Sequence, residues 1–228
     1  NADLAEDPHR NEDKARRVRA MFDAIAHRYD LNNRLHSFGR DQAWRRATVR
    51  ACRIGPEDRV LDVACGTGDL TEAFASAQPA RVVGVDFSEG MLEHARRKAA
   101  GRRRGEGVPD PEYAQGDAMR LAFDDGSFDV VSIAFGIRNV GDPAQALREF
   151  HRVLAPGGRL AVLEFEAPGR GPIGFLQRLY TARIMPVTAT LIAGDKSGAY
   201  HYLPRSIDTF LDRSSLGEAI VEAGFEAP

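Results

Sequence analysis

"RVLDVACGTGDL", residues 59–70, decides the fold. Its first half, Arg59 to Val63, is a short aliphatic run without helical period, which reads as a strand buried on both faces. Gly66 and Gly68 follow at once, and a helical pattern then runs from Leu70 to about Ala77. Strand, glycine turn and helix in that order make the first half of a βαβ unit.

Outward from that point the same alternation repeats. "ARVVGVDFS" (80–88) is a second buried strand, and Ser88 is placed to cap a helix whose core face is Met91, Leu92 and Ala95. "PEYAQGD" (111–117) is a short third strand and "SFDVVSIAFG" (127–136) a fourth. Asp142-Pro143 opens a helix that continues through Ala146, Leu147, Phe150 and Leu154. Gly157-Gly158 then turns the chain into "RLAVLEFEAP" (159–168), the fifth strand. Such alternation predicts an α/β fold: a doubly wound, mostly parallel sheet of Rossmann-like type.

Around that core, spanning residues 56–168, the pattern places three additions. Residues 1–55 form a helical cap, with Val18, Met21, Phe22, Ile25 and Tyr29 on one helical face. Breaks are expected at Asn32-Asn33 and Gly39, before another helix through Trp44 and Val49. Residues 169–213 read as an inserted lid, and 214–228 as a last helix that ends at Gly224 and completes the core.

With 228 residues, 43% of them hydrophobic, 28% charged and a net charge of −2, the chain suits one globular domain and carries no field that would hold nucleic acid. Arg102-Arg103-Arg104 lies among glycines and reads as a solvated loop. Two cysteines and six histidines show no disulfide framework and no metal spacing, so no metal and a cytoplasmic setting are expected. No apolar run approaches the ~20 residues that span a bilayer.

The glycine loop alone could be a tight turn. Asp86, however, closes the second strand at the ~20-residue distance where an acid meets ribose hydroxyls. Gly116-Asp117-Ala118 ends the third strand at the same sheet edge, where a carboxylate or an amide can hold an adenine amino group. Thr71 stands where a dinucleotide fingerprint has its third glycine, so a pyrophosphate fits poorly. Asp62 and Asp69 flank the loop and suit a cationic ligand. S-adenosylmethionine, an adenosine bearing a sulfonium and an ammonium, meets all of these conditions. Gly66, Thr67, Gly68, Asp86, Asp117 and Ala118 are therefore the candidate cofactor residues.

"FDAIAHRYDLNNRLHSFG", "LDVACGTGDLT", "VGVDFSEGML", "GDAMRLAFDDGSFDVVSIAFGIRNV" and "RVLAPGGRLAVLEFEAP" together resemble the ubiquinone/menaquinone biosynthesis C-methyltransferases over about residues 20–225. The glycine loop is shared by many methyltransferases; "FGIRNV" with "YDLNN" is far more specific. The resemblance implies methylation of a ring carbon in a demethylated prenyl quinol, demethylmenaquinol or the ubiquinol-pathway benzoquinol. Of the residues that line the end of the fourth strand, Arg138 would stabilise the quinol oxyanion and Asn139 would orient the ring. Tyr29 would relay a proton or bond the cofactor carboxylate; His27 and His201 read more readily as surface or structural groups.

Nucleic-acid amino-methyltransferases usually carry an Asn/Asp-Pro-Pro-aromatic turn at this strand end, and none is present, which argues against a nucleobase. In "FLQRLYTARIMPVTATLIAG" (175–194), Leu176, Leu179, Ile184, Met185 and Leu191, interrupted by Arg178 and Arg183, suit an isoprenoid tail or contact with the inner face of the cell membrane. A lid packing only on its own domain is the alternative, and a homodimer stays open. Asp41 stands where the family commonly has His, and Ala134 where some members have Ser. Rival readings are another small hydrophobic acceptor, an NAD-dependent oxidoreductase, or a cofactor-binding module without catalysis.

Overall fold

A computed structural model describes residues 14–167, 169, 171–180, 183, 188, 190 and 199–227. Expectations for residues 1–13, Ile184, Met185 and Leu191 lie outside the described residues, as do those for the side chains of Leu176, Arg178 and His201.

The aliphatic runs become strands β1 (Arg59–Val63), β2 (Arg81–Asp86), β3 (Glu112–Gln115), β4 (Phe128–Ala134) and β5 (Leu154–Leu163). They pair in parallel as one sheet in the order β3-β2-β1-β4-β5. The helices are α1 (Lys14–Ile25), α2 (Tyr29–His36), α3 (Arg40–Cys52), α4 (Asp69–Ala75), α5 (Glu89–Ala100), α6 (Pro143–Val153), α7 (Pro172–Leu179), α8 (Ala199–Asp208) and α9 (Arg213–Glu222).

Register explains why the strands read as unbroken hydrophobic runs. Val60 pairs with Val82 and Val130, and Leu61 with Val83 and Val131. Alternation sends the first trio to one face, against Cys52 of α3 and Leu70, Phe74 and Ala75 of α4. The second trio packs on the other face, against Ala146, Leu147, Phe150 and Val153 of α6. The chain winds from β1 outward to β3, then returns to lay β4 on the opposite side of β1. In such sheets the crevice beyond the carboxyl ends opens where the order reverses, here between β1 and β4.

Capping follows the sequence: Ser88 accepts the Met91 N–H at 3.1 Å, and Asp142 accepts that of Gln145 at 3.0 Å. Two details differ from expectation. Asn32 and Asn33 do not break a helix; they lie inside α2, with Asn32 buried, and the break comes earlier, as a 3-10 turn over Ala26–Arg28. Tertiary burial here overrides a weak local preference. β5 begins at Leu154, which pairs with Phe128; residues 155–158 then loop out before pairing resumes at Arg159 and Val130, with Gly157 at φ +77°.

Candidate active site

At the β1/β4 crevice lies a cleft with about 830 Å³ of empty space, part of it open to solvent. Among the sequence-predicted residues, Gly66, Asp86, Asp117, Ala118, Tyr29 and Asn139 line it. Thr67, Gly68 and Arg138 do not.

The β2 side of the cleft is built around Asp86. Its Oδ2 accepts the Gly66 N–H and its Oδ1 the Ser88 N–H, both at 2.8 Å. Each carboxylate oxygen can take a second bond, so a diol is accommodated beside those amides. Burial raises the Asp86 pKa, while the Ser88 and Gly66 amides oppose the rise. Gly66 sits at φ +57°, and Asp117 is fixed by the Met119 N–H at 2.9 Å.

Gly68 serves packing: at φ +80°, a Cβ there would stand 2.5 Å from the Tyr113 hydroxyl. The Thr67 hydroxyl donates to Asp30 at 2.5 Å. The expectation that Asp62 and Asp69 attract a cationic ligand is corrected, because both turn into the protein. Asp62 accepts the Thr71 and Ser132 hydroxyls at 2.7 Å each, and burial lifts its pKa to about 6. Asp69 is held by Lys98 at 2.5 Å and Gln42 at 3.1 Å. Burial alone would raise the Asp69 carboxyl, but the lysine charge and these bonds outweigh it and leave it below the usual range.

The opposite wall is the end of β4. Phe135 leaves the strand at φ +56° and stacks on Phe165 with centroids 4.5 Å apart. Trp44 meets both rings edge-on, at 6.2 and 6.0 Å. The 3-10 turn Ile137–Asn139 then sends its two polar side chains to different places. Asn139 faces the cleft; its Nδ2 donates to the Phe135 carbonyl at 3.3 Å and its Oδ1 accepts the Tyr202 hydroxyl at 3.1 Å.

Arg138 turns inward. Its Nη1 donates to the Phe135 carbonyl at 2.9 Å and to the Glu164 carboxylate, and its Nε donates to Ser206 of α8 at 3.3 Å. Arginine and glutamate side chains are only 4% and 5% exposed, so the pair is neutralised within the protein. The expected oxyanion role for Arg138 is corrected accordingly: it docks α8 against the ends of β4 and β5.

Tyr29 opens α2 and brings its ring to 4.0 Å from where a Cβ on Gly66 would sit. Phe22 meets that ring edge-on at 6.0 Å. Burial raises the tyrosine pKa, opposed by the Asn33 hydrogen bond and the charges of Arg45 and Arg138, so the hydroxyl remains a donor at neutral pH.

A family model described as the ubiE/COQ5 methyltransferase family matches residues 10–228. The chain belongs to the ubiE/COQ5 methyltransferase family. It is 48% identical over 206 residues to the demethylmenaquinone methyltransferase of Thermus thermophilus, covering 90% of this chain and 91% of that one. Against the protein of the same name from Deinococcus radiodurans the identity is 43% over 215 residues, covering 94% and 87%. Among solved structures, a SAM-dependent methyltransferase from Thermotoga maritima superposes with a TM-score of 0.61 at 25% identity, covering 91% of this chain and 81% of that one. The [4+2]-cyclase SpnF reaches 0.59 at 24% identity, covering 81% and 57%, and attests the fold alone.

Asp41 is buried and held by Ser37 at 3.1 Å and Arg45 at 3.2 Å. Ala134 lines the cleft. The solvated reading of Arg102–Arg104 is corrected at Arg104, whose two Nη atoms clasp buried Glu72 at 2.9 and 3.0 Å. Sequence reading gave no site role to Trp44, Glu164 or Phe165. All three take their positions from contacts between distant segments.

Proposed function

We propose that the cleft binds S-adenosylmethionine and that the chain methylates the ring carbon of a demethylated prenyl quinol, demethylmenaquinol first among them. The observation that carries this reading is Asp86, held by two backbone amides at the edge of the β1/β4 crevice with capacity left for a ribose diol. The demethylmenaquinone methyltransferases of Thermus thermophilus and Deinococcus radiodurans, similar over nearly their whole lengths, supply the acceptor class.

Bound there, the cofactor would supply an electrophilic methyl group. Asp86 would take the ribose hydroxyls, Asp117 or the Ala118 amide the adenine edge, and Tyr29 would cover the glycine turn. On the β4 side, Phe135 offers a ring face to the quinol and Asn139 a carboxamide that fixes its oxygen. The ring carbon would become nucleophilic only with its neighbouring hydroxyl ionised, so what the chain's own residues would do is hold that hydroxyl at the Asn139 carboxamide and place the ring against Phe135. Holding carbon, methyl and sulfur in line is the main contribution the site makes. With Arg138 paired to Glu164, Asn139 is the polar side chain that the turn after β4 presents to the cleft.

A lipid-soluble acceptor also needs a route to the cleft, which a lipid surface would provide. Leu31, Leu35 and Phe38 at α2, and Phe175 and Leu179 on α7, are large exposed apolar side chains, Phe38 being 79% exposed. The Phe38 and Tyr180 rings lie 6.2 Å apart and join the two groups. Exposed Arg28, Arg34 and Arg40 lie among the first group, a composition suited to an anionic bilayer. No helix among the described residues is long and apolar enough to cross a membrane.

The test is transfer of labelled methyl from S-adenosylmethionine to demethylmenaquinol and to the benzoquinol analogue, each presented with a short tail in solution and with a long tail in anionic vesicles. Methylation of the naphthoquinol is expected, and a Phe38→Asp/Phe175→Asp variant should lose activity on vesicles alone. No transfer to either quinol would reject the reading.

A further inference from the structure

The ammonium of Lys98, near the end of α5, lies behind the cleft wall. It stands 2.7 Å from Asp30 Oδ2, 2.5 Å from Asp69 Oδ1 and 3.4 Å from the Thr67 hydroxyl. The Thr67 hydroxyl in turn donates to the other oxygen of Asp30 at 2.5 Å. Asp30 directly follows Tyr29 in the chain, and Thr67 directly follows Gly66. Tyr29 and Gly66, which meet at the cleft, are thus each adjacent in the chain to a residue gathered at one ammonium. Asp69 carries the network further: Gln42 of α3 bridges it at 3.1 Å to Asp41 at 3.0 Å.

Isolated surface ion pairs contribute little. This one is different in kind, since the Lys98 side chain is 28% exposed, that of Asp69 only 10%, and all three ammonium donors have acceptors within reach. Such a partly buried, multiply bonded cation fixes geometry more than it adds stability. We propose that Lys98 is a positioning residue for the cofactor cleft: through Asp30, Thr67 and Asp69 it holds α2 against the glycine turn, so that the Tyr29 ring covers Gly66. This inference rests on the reading of the cleft as an S-adenosylmethionine site. The lysine itself touches none of the reacting atoms.

The experiment is calorimetric titration with S-adenosylhomocysteine, with thermal melts of the ligand-free proteins, on the wild type and on Lys98→Met, Lys98→Arg, Asp30→Asn and the Lys98→Met/Asp30→Asn double variant. Lys98→Met should weaken binding by about tenfold, with a nearly unchanged melting temperature, and raise KM for S-adenosylmethionine more than it lowers kcat. Arginine should restore most of the affinity. Asp30→Asn should weaken binding comparably, and the double variant should be no worse than either single one, as expected of groups acting as a unit. Wild-type affinity in both Lys98→Met and Asp30→Asn would overturn the proposal. So would affinity losses that only follow falling melting temperatures and that arginine does not restore. Should Lys98→Met fail to fold, Lys98→Arg and Asp30→Asn decide the matter by the same criteria. A wild-type protein that does not bind S-adenosylhomocysteine at all would instead overturn the cofactor reading, and this inference with it.

Discussion

Asp62 is buried and Asp86 half-buried at the cleft, and their surroundings give the two carboxylates opposite uses. Asp86 ends its strand and meets backbone N–H groups at the cleft. Asp62 lies mid-sheet and accepts two hydroxyls, and burial puts its pKa at about 6 against an ordinary 3.8. Because the folded protein holds that proton more tightly than the unfolded chain, the stabilisation it gives is complete below pH ~3.8 and lost as pH rises through about 6. Two units correspond to about 3 kcal/mol. Asp62→Asn removes the titration, so its stability relative to wild type should improve by an amount of that order between pH 4 and 7. Urea midpoints of both proteins at the two pH values check it; a constant difference would contradict the assignment. At this scale the placement of Asp86 and Asp117 at the cleft was legible because each comes at the end of a strand at the sheet's carboxyl edge, whereas Tyr29 was reached only through the family resemblance. The direction of Arg138 was not legible, because its partner Glu164 lies 26 residues away and nothing in the neighbouring residues fixes which way its side chain turns.

Two glycines of nearly equal backbone conformation separate turn chemistry from packing in the helical and loop elements. Gly39 precedes α3 at φ +72°, and a Cβ added to it would meet nothing within 4 Å, whereas Gly68 precedes α4 at φ +80° against Tyr113. Alanine at Gly39 should cost only the left-handed backbone penalty, about 1 kcal/mol. Alanine at Gly68 should cost that and the displacement of the tyrosine, at least about 2 kcal/mol more. Denaturant titrations of both variants give the comparison, and equal costs would mean that Tyr113 yields freely. The strands, the caps at Ser88 and Asp142, and the glycine turn were all legible, since each is written in neighbouring residues. The continuity of α2 through Asn32-Asn33 and the early start of β5 were not, since both depend on contacts made across the fold.

For the whole molecule, the alternation of strands and helices led to the parallel sheet, and the reversal of strand order led to the cleft. What the sequence did not disclose is how the N-terminal helices close on that sheet: α1 contributes Val18 and Phe22 to the cleft, α2 contributes Tyr29, and Lys98 ties α2 to the glycine turn. The apolar patch of Leu31, Leu35, Phe38, Phe175 and Leu179 likewise exists only once α2 and α7 are brought side by side. A crystal structure of the protein with S-adenosylhomocysteine tests the central claim most directly. The account predicts both ribose hydroxyls on Asp86, the adenine edge at Asp117-Ala118, and the sulfur directed toward Phe135 and Asn139. A nucleoside seated elsewhere, or one that leaves Asp86 without contact, would contradict it.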